Sequence, residues 1–154
     1  RLQRTITYFS MHTNQKEGDV NPVGTFQGPK VLLINEYSAS DGDLFPYRFK
    51  YNKLGTVIGH RTWGGVVGYS GTVPVVDGGS IVTPSYAPFA ADGSGFIIEG
   101  TGVTPDIDLA NDPYKEFSGE DEQLNKAIET IKQQMKDYKY MSPTIPAFPN
   151  KAAM

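Results

Sequence analysis

Gly28-Pro29-Lys30-Val31-Leu32-Leu33-Ile34-Asn35-Glu36-Tyr37-Ser38-Ala39-Ser40-Asp41-Gly42-Asp43 contains an unbroken apolar run over residues 31–34. Gly28-Pro29 closes it on one side and a turn of small residues on the other. Four apolar residues so bounded read as a buried strand of a sheet covered on both faces. Leu44, Phe45, Tyr47, Arg48, Phe49 and Tyr51 then lead to Lys53-Leu54-Gly55, the pattern of a short helix with a glycine stop. Pro46 is tolerated in a first turn but not in a helix interior, so the helix is expected to start near Asp43, or to be kinked if it starts earlier. A strand, a tight turn and a helix in succession form a recurrent way to present a nucleophile. The turn exposes a side chain, and free N–H groups at the helix start can hold an oxyanion. Ser38 and Ser40 are the hydroxyls in that turn. The same residues serve equally well as turn and capping groups, with Asp41 and Asp43 complementing the helix dipole.

Outward from this stretch, residues 6–9 are mildly apolar, and 13–28, punctuated by Gly18, Pro22, Gly24 and Gly28, read as an exposed loop. Downstream, 56–59, 66–69, 73–76, 81–86 and 96–99 read as strands of an antiparallel run. Asp77-Gly78-Gly79 and Asp92-Gly93-Ser94-Gly95 supply the hairpin turns. Residues 105–113 read as an extended surface segment. Leu124, Ala127, Ile128, Ile131, Met135 and Tyr138 mark one face of a helix over 120–138, whose first turn carries Glu120, Asp121 and Glu122. The expected organisation is one α/β domain: an N-terminal strand and loop (1–29), a core (30–140) and a tail with three prolines (141–154). The chain opens on Arg1 rather than Met, without a signal-peptide pattern, and reads as a fragment of a longer protein.

Composition removes several classes of function. Fourteen Lys and Arg against seventeen Asp and Glu leave a net charge of -3, which disfavours nucleic acid as the main partner. No apolar run approaches the roughly 20 residues that cross a bilayer. The absence of Cys excludes disulfides, thiolate metal sites and a cysteine nucleophile, and is compatible with an exported or a cytoplasmic protein. Asp77, Asp92, Asp106 and Asp108 are scattered singly over turns and do not read as a metal cluster.

Three blocks carry a resemblance. The stretch 28–43 resembles the nucleophile segment of tricorn-type proteases, members of the tail-specific (carboxyl-terminal processing) serine peptidase family. Leu54-Gly55-Thr56-Val57-Ile58-Gly59-His60-Arg61-Thr62-Trp63-Gly64-Gly65-Val66-Val67-Gly68 resembles the family's next block. Ile98-Glu99-Gly100-Thr101-Gly102-Val103-Thr104-Pro105-Asp106-Ile107 resembles a third, a Glu followed by Gly-Val-x-Pro-Asp. The resemblance covers residues 28 to about 135 in the family's order and spacing. It implies a crotonase/ClpP-like core that is partial here, lacking its first half, and peptide hydrolysis through an acyl-enzyme without metal or cofactor. Ser40 falls at the nucleophile, the N–H of Asp41 at one oxyanion-hole position, and Glu99 at the acidic member of the relay. In that relay the Glu acts through another Ser onto a His base. The physical need is general, because a Ser hydroxyl is a weak nucleophile until a base takes its proton. Gly65 stands where the tail-specific branch carries a Lys base, which places the chain in the tricorn branch.

The resemblance puts the His base and the second oxyanion donor before Arg1, so the 154-residue chain alone is expected to be inactive. Of the two histidines, His12 lies in a loop and His60 at a strand end, and neither matches the family's base. Glu17 and Asp19 lie where relatives have substrate-pocket residues, although a solvated loop is the plainer reading. Trp63 with Gly64-Gly65 reads either as packing around a tight backbone approach or as substrate contact. Implied partners are a peptide or unfolded protein substrate and, as in relatives, further copies in a homo-oligomer. The rival readings are a non-catalytic peptide-binding or scaffolding domain on the same fold and a generic α/β interaction module, in which Ser40 would be only a cap.

Overall fold

A computed structural model describes residues 1–11, 15–148 and 150. The chain divides into two compact units, 30–133 and a second made of 1–29 with 134–154. In the larger unit, β3 (Val31–Ile34), α1 (Asp41–Tyr51) and β4 (Thr56–Gly59) form a strand–helix–strand unit. β3 and β4 pair in parallel, Val31 opposite Thr56 through Ile34 opposite Gly59. β9 (Ile107–Asp108) adds in parallel on the far side of β4, so the sheet order is β3-β4-β9. Two expectations are corrected here. Residues 56–59 do not begin an antiparallel run, and the segment 105–113 is not merely extended surface but contributes the third parallel strand.

The sheet order explains the burial. β4 is central, and its Val57 and Ile58 are both fully buried. β3 is an edge strand covered on one face: Ile34 packs with Phe49 and Val57, joined by Leu32 and Leu54, while Leu33 on the opposite face is 37% exposed. The unbroken apolar run is therefore not a strand buried on both sides. A shared register also tightens the sheet at Gly59, whose φ is 132 and where a Cβ would run into the Ile34 carbonyl oxygen.

α1 starts at Asp41, earlier than expected, which places buried Pro46 inside it and leaves the Gly42 carbonyl without the usual i+4 donor. Rings four apart line its flanks, Phe45 with Phe49 and Tyr47 with Tyr51. Its end is set by Lys53 rather than by Gly55. Lys53 takes a left-handed conformation (φ 50), its N–H donates to the Lys50 carbonyl, and the Leu54 N–H donates to that of Phe49. This is a Schellman stop with its apolar contact, since Leu54 packs onto the Phe49 cluster. Asp106 joins helix and sheet: Oδ2 accepts the Val57 N–H at 2.8 Å and Oδ1 pairs with Lys50 Nζ at 2.8 Å. Burial pushes its carboxyl up, but the Lys50 and Val57 hydrogen bonds and the Lys50 charge outweigh that and hold it below the ordinary value.

Between β4 and β9 the chain forms an exposed antiparallel arm. β5 (Gly68–Tyr69) pairs with β8 (Pro84–Tyr86), and β6 (Val73–Pro74) with β7 (Ser80–Ile81), closed by the expected turn over 77–79. The second expected turn is also formed, with the Ser94 N–H on Asp92 Oδ1. The strand expected over 96–99 is reduced to one bridge, Phe89 opposite Phe96, because Ile98 turns the chain with φ 50. A short helix absent from the sequence reading, α2 (Pro113–Phe117), follows the N-cap Asp112, and α3 (Glu122–Met135) carries the expected amphipathic face with Ala127 buried. In the smaller unit β1 (Tyr8–Ser10) pairs antiparallel with β2 (Asp19–Asn21), so part of the expected loop is strand. No described helix is long and apolar enough to cross a membrane.

Candidate active site

After β3 the turn organises itself around Asn35. The Ser38 N–H donates to the Asn35 carbonyl at 3.0 Å, and the Ser38 hydroxyl donates to Asn35 Oδ1 at 3.3 Å while accepting the Asn35 N–H at 3.2 Å. Ser38 is thereby occupied as a turn residue. Ser40, two residues on, is exposed at the N-cap of α1 with φ 56 and ψ -114. A non-glycine residue there costs about 1–3 kcal/mol and persists only when its surroundings fix it.

Those surroundings are polar and specific. The Ser40 N–H donates to Asp43 Oδ2 at 3.0 Å and to the Gly65 carbonyl at 3.2 Å. Gly42 N–H donates to the Ala39 carbonyl, and Asp43 and Leu44 N–H to that of Ser40. Helix starts leave several amides without intrahelical partners. Here, among the described residues, only the Asp41 N–H of the first turn is left without one. One free backbone donor thus stands next in the chain to an exposed hydroxyl, at the positive end of a helix dipole, the geometry that steadies a developing oxyanion.

Asp43 is the residue whose role the sequence reading missed. It is fully buried, and its carboxylate accepts the Gly64 N–H on Oδ1 at 2.8 Å and the Gly65 N–H on Oδ2 at 3.0 Å, besides that of Ser40. The signal in the sequence was the Ser40-x-x-Asp43 spacing of a capping box, which identifies the bond to Ser40 but not the reach to Gly64 and Gly65. Gly64 is required sterically. Gly64 has φ 88 and a Cβ would come within 2.5 Å of the Gly102 nitrogen, while a Cβ at Gly65 would strike the Trp63 ring. Trp63 itself is 62% exposed, with its ring lying against Gly65.

Residues 64–67 are gripped a second time from the other side. Glu99 Oε2 accepts the Val66 and Val67 N–H groups at 2.7 and 2.8 Å, and the Gly100 N–H donates to the Gly64 carbonyl at 2.7 Å. Glu99 Oε1 has no partner among the described residues. A tight turn presents this side chain, the Glu99 N–H meeting the Ile97 carbonyl at 2.6 Å across Ile98, whose φ of 50 is strained for a β-branched residue. The neighbouring backbone is fixed by fully buried Thr62, which exchanges two hydrogen bonds with Val103, and by Arg61 Nη1, which donates to the Thr62, Trp63 and Thr101 carbonyls.

His60 follows β4, half exposed, with Nδ1 3.0 Å from Asp108 Oδ1. His12 lies outside the described residues. Glu17 and Asp19 belong to the smaller unit, both exposed, Asp19 Oδ2 accepting from Gln15 at 3.2 Å. No group of three or more His, Cys, Asp or Glu suited to a metal ion occurs among the described residues.

Comparison with known proteins agrees with these elements. The tricorn protease of Thermoplasma volcanium is 41% identical over 134 residues, 86% of this chain but 13% of its own length. Tricorn protease homolog 1 of Streptomyces coelicolor is 42% identical over 102 residues, 66% of this chain and 10% of its own. The crystal structure of the tricorn protease superposes with a TM-score of 0.76 at 32% identity, covering 87% of this chain and 13% of that one. Mature CPAF complexed with lactacystin gives 0.65 at 27% identity over 77% of this chain and 23% of CPAF. The chain thus spans a small part of the relatives it matches. Residues 2–109 match the model of peptidase family S41, and with tricorn proteases among its relatives the chain belongs to that family.

Proposed function

We propose that this chain is the nucleophile-bearing part of a tricorn-type serine peptidase, on a partial crotonase/ClpP-like core. Ser40 Oγ attacks the carbonyl carbon of a peptide bond, and its proton passes to a His base supplied by polypeptide outside residues 1–154. The Asp41 N–H donates to the oxyanion of the tetrahedral intermediate. Collapse expels the amine, which takes the proton from the His, and leaves an acyl-Ser40 ester that water hydrolyses by the same route. Glu99 orients the base through an intervening hydroxyl. Two amides fix its Oε2, and its Oε1, without a partner among the described residues, is available to such a group. The substrate is a peptide or unfolded protein, Glu17 and Asp19 are assigned to its binding, and the assembled protein is a homo-oligomer.

The observation that carries this reading is the strained, exposed serine beside a first-turn amide that has no partner among the described residues. A helix cap does not need the strain. The test is labelling by a fluorophosphonate probe of the full-length protein and of residues 1–154. Labelling of the full-length protein that is lost in Ser40→Ala, and weak labelling of the shorter chain, are expected. Equal labelling of both would place the base within this sequence, and no labelling of either would favour the non-catalytic peptide-binding domain.

A further inference from the structure

We infer that Asp43 is a positioning residue for this reaction, an inference that rests on the peptidase reading. Its carboxylate sets the nucleophile and the relay carboxylate in register by holding one backbone segment, 64–67, against the Ser40 turn. Three observations carry it. Asp43 is fully buried and accepts three backbone N–H groups, one from Ser40 itself and two from Gly64 and Gly65. The adjoining amides of the same segment, Val66 and Val67, hold Glu99 Oε2. Backbone contacts close the segment on its remaining sides, with the Trp63 N–H on the Ser38 carbonyl and the Gly100 N–H on the Gly64 carbonyl.

The chemistry follows from what each bond fixes. Asp43 takes the Ser40 N–H, and the Asp41 N–H is the one first-turn amide without a partner among the described residues. By taking Gly64 and Gly65, Asp43 fixes the origin of the strip on which Glu99 is hung. Val66 is the strip's buried side chain, but neither glycine has one to anchor by packing, so the place of residues 64 and 65 depends on the acceptors they meet. A carboxylate can accept all three bonds, whereas a neutral amide turns two of its protons toward donors. Misplacement by about 1 Å costs on the order of 10²-fold in rate.

The experiment uses the full-length protein and compares wild type, Ser40→Ala, Asp43→Asn and Asp43→Glu. It measures the saturating rate and half-saturating concentration of fluorophosphonate labelling, with amide hydrogen exchange over residues 60–70 and thermal melting. Asp43→Asn is expected to lower the saturating rate about 30–100-fold, leave half-saturation within about threefold, and speed exchange at 64–67. Asp43→Glu, which keeps the charge, is expected to restore part of the rate. Should Asp43→Asn fail to fold, Asp43→Glu decides alone: a rate lowered about tenfold with wild-type melting supports the assignment, and an unchanged rate overturns it. Wild-type labelling with an unaltered Asp43→Asn rate overturns the role of Asp43 while leaving the peptidase reading intact. Absence of labelling in wild type overturns that reading, and the positioning role with it.

Discussion

Two helices of the larger unit start on carboxylate caps, and they use them for opposite purposes. At α2 the cap is local: Asp112 keeps an extended backbone (φ -71, ψ 122), and its side chain accepts the Tyr114 and Lys115 N–H groups directly ahead of it. At α1 the carboxylate sits inside the helix at Asp43, reaches back to Ser40 and spends its other two bonds on glycines 21 and 22 residues away. The first arrangement stabilises a five-residue helix. The second forces a serine into φ 56 and leaves one amide open. A cap that serves only the helix would leave Ser40 relaxed, as Asp112 is at α2, so the difference separates capping from presentation.

The largest effect should come from removing the non-local acceptor. Asp43→Leu leaves the Gly64 and Gly65 amides without partners and Ser40 N–H with only the Gly65 carbonyl, and a loss of about 3–5 kcal/mol in unfolding free energy is expected from urea denaturation. A loss no greater than that of an ordinary cap would erase the contrast. Next, Ser40→Gly should stabilise the fold by about 1–2 kcal/mol, because glycine relieves the positive φ, while abolishing probe labelling. A lower melting temperature in that variant would mean the turn is not strained. Asp112→Ala should cost about 1 kcal/mol and leave labelling untouched. Loss of labelling there would show that α2 takes part in the site.

The smallest expected effect concerns Asp106, a carboxylate that bridges helix and sheet but remains partly exposed. Its folded pKa lies below the ordinary 3.8, so its contribution is present above that value and disappears as pH falls through the folded one. Asp106→Asn should therefore make the loss of stability between about pH 5 and pH 3 shallower than in wild type, by less than about 1 kcal/mol. A profile of unchanged slope would show that Lys50 is equally well solvated without it.

What the sequence revealed and what it hid divide along the range of the interactions involved. β3, β4 and the two Asp-Gly turns were legible because four apolar residues or an Asx turn declare themselves within a few positions. The Asp112-Pro113 start of α2 was equally local and was overlooked in a segment read as extended. The parallel partnership of β4 with β9 was hidden because its two halves lie nearly fifty positions apart and β9 is two residues long. At the site, Ser40 and Glu99 were marked by resemblance, but the strain at Ser40 and Ile98 and the double grip on 64–67 emerge only once three distant segments meet. Asp43 shows the limit most sharply: its spacing gave the near bond, and nothing local could give the two far ones.

The grip on residues 64–67 also has a consequence in time. A ribosome delivers Ser40 before Gly64, and Glu99 another 35 positions later. At about 5–20 residues per second, the serine waits roughly 3–12 s for its full surroundings. Until then the segment's amides have only half their acceptors, and nothing compels the Ser40 turn into its left-handed form. The geometry of the Ser40 turn is thus a late product of synthesis, complete only when the loop carrying Glu99 has closed on residues 64–67.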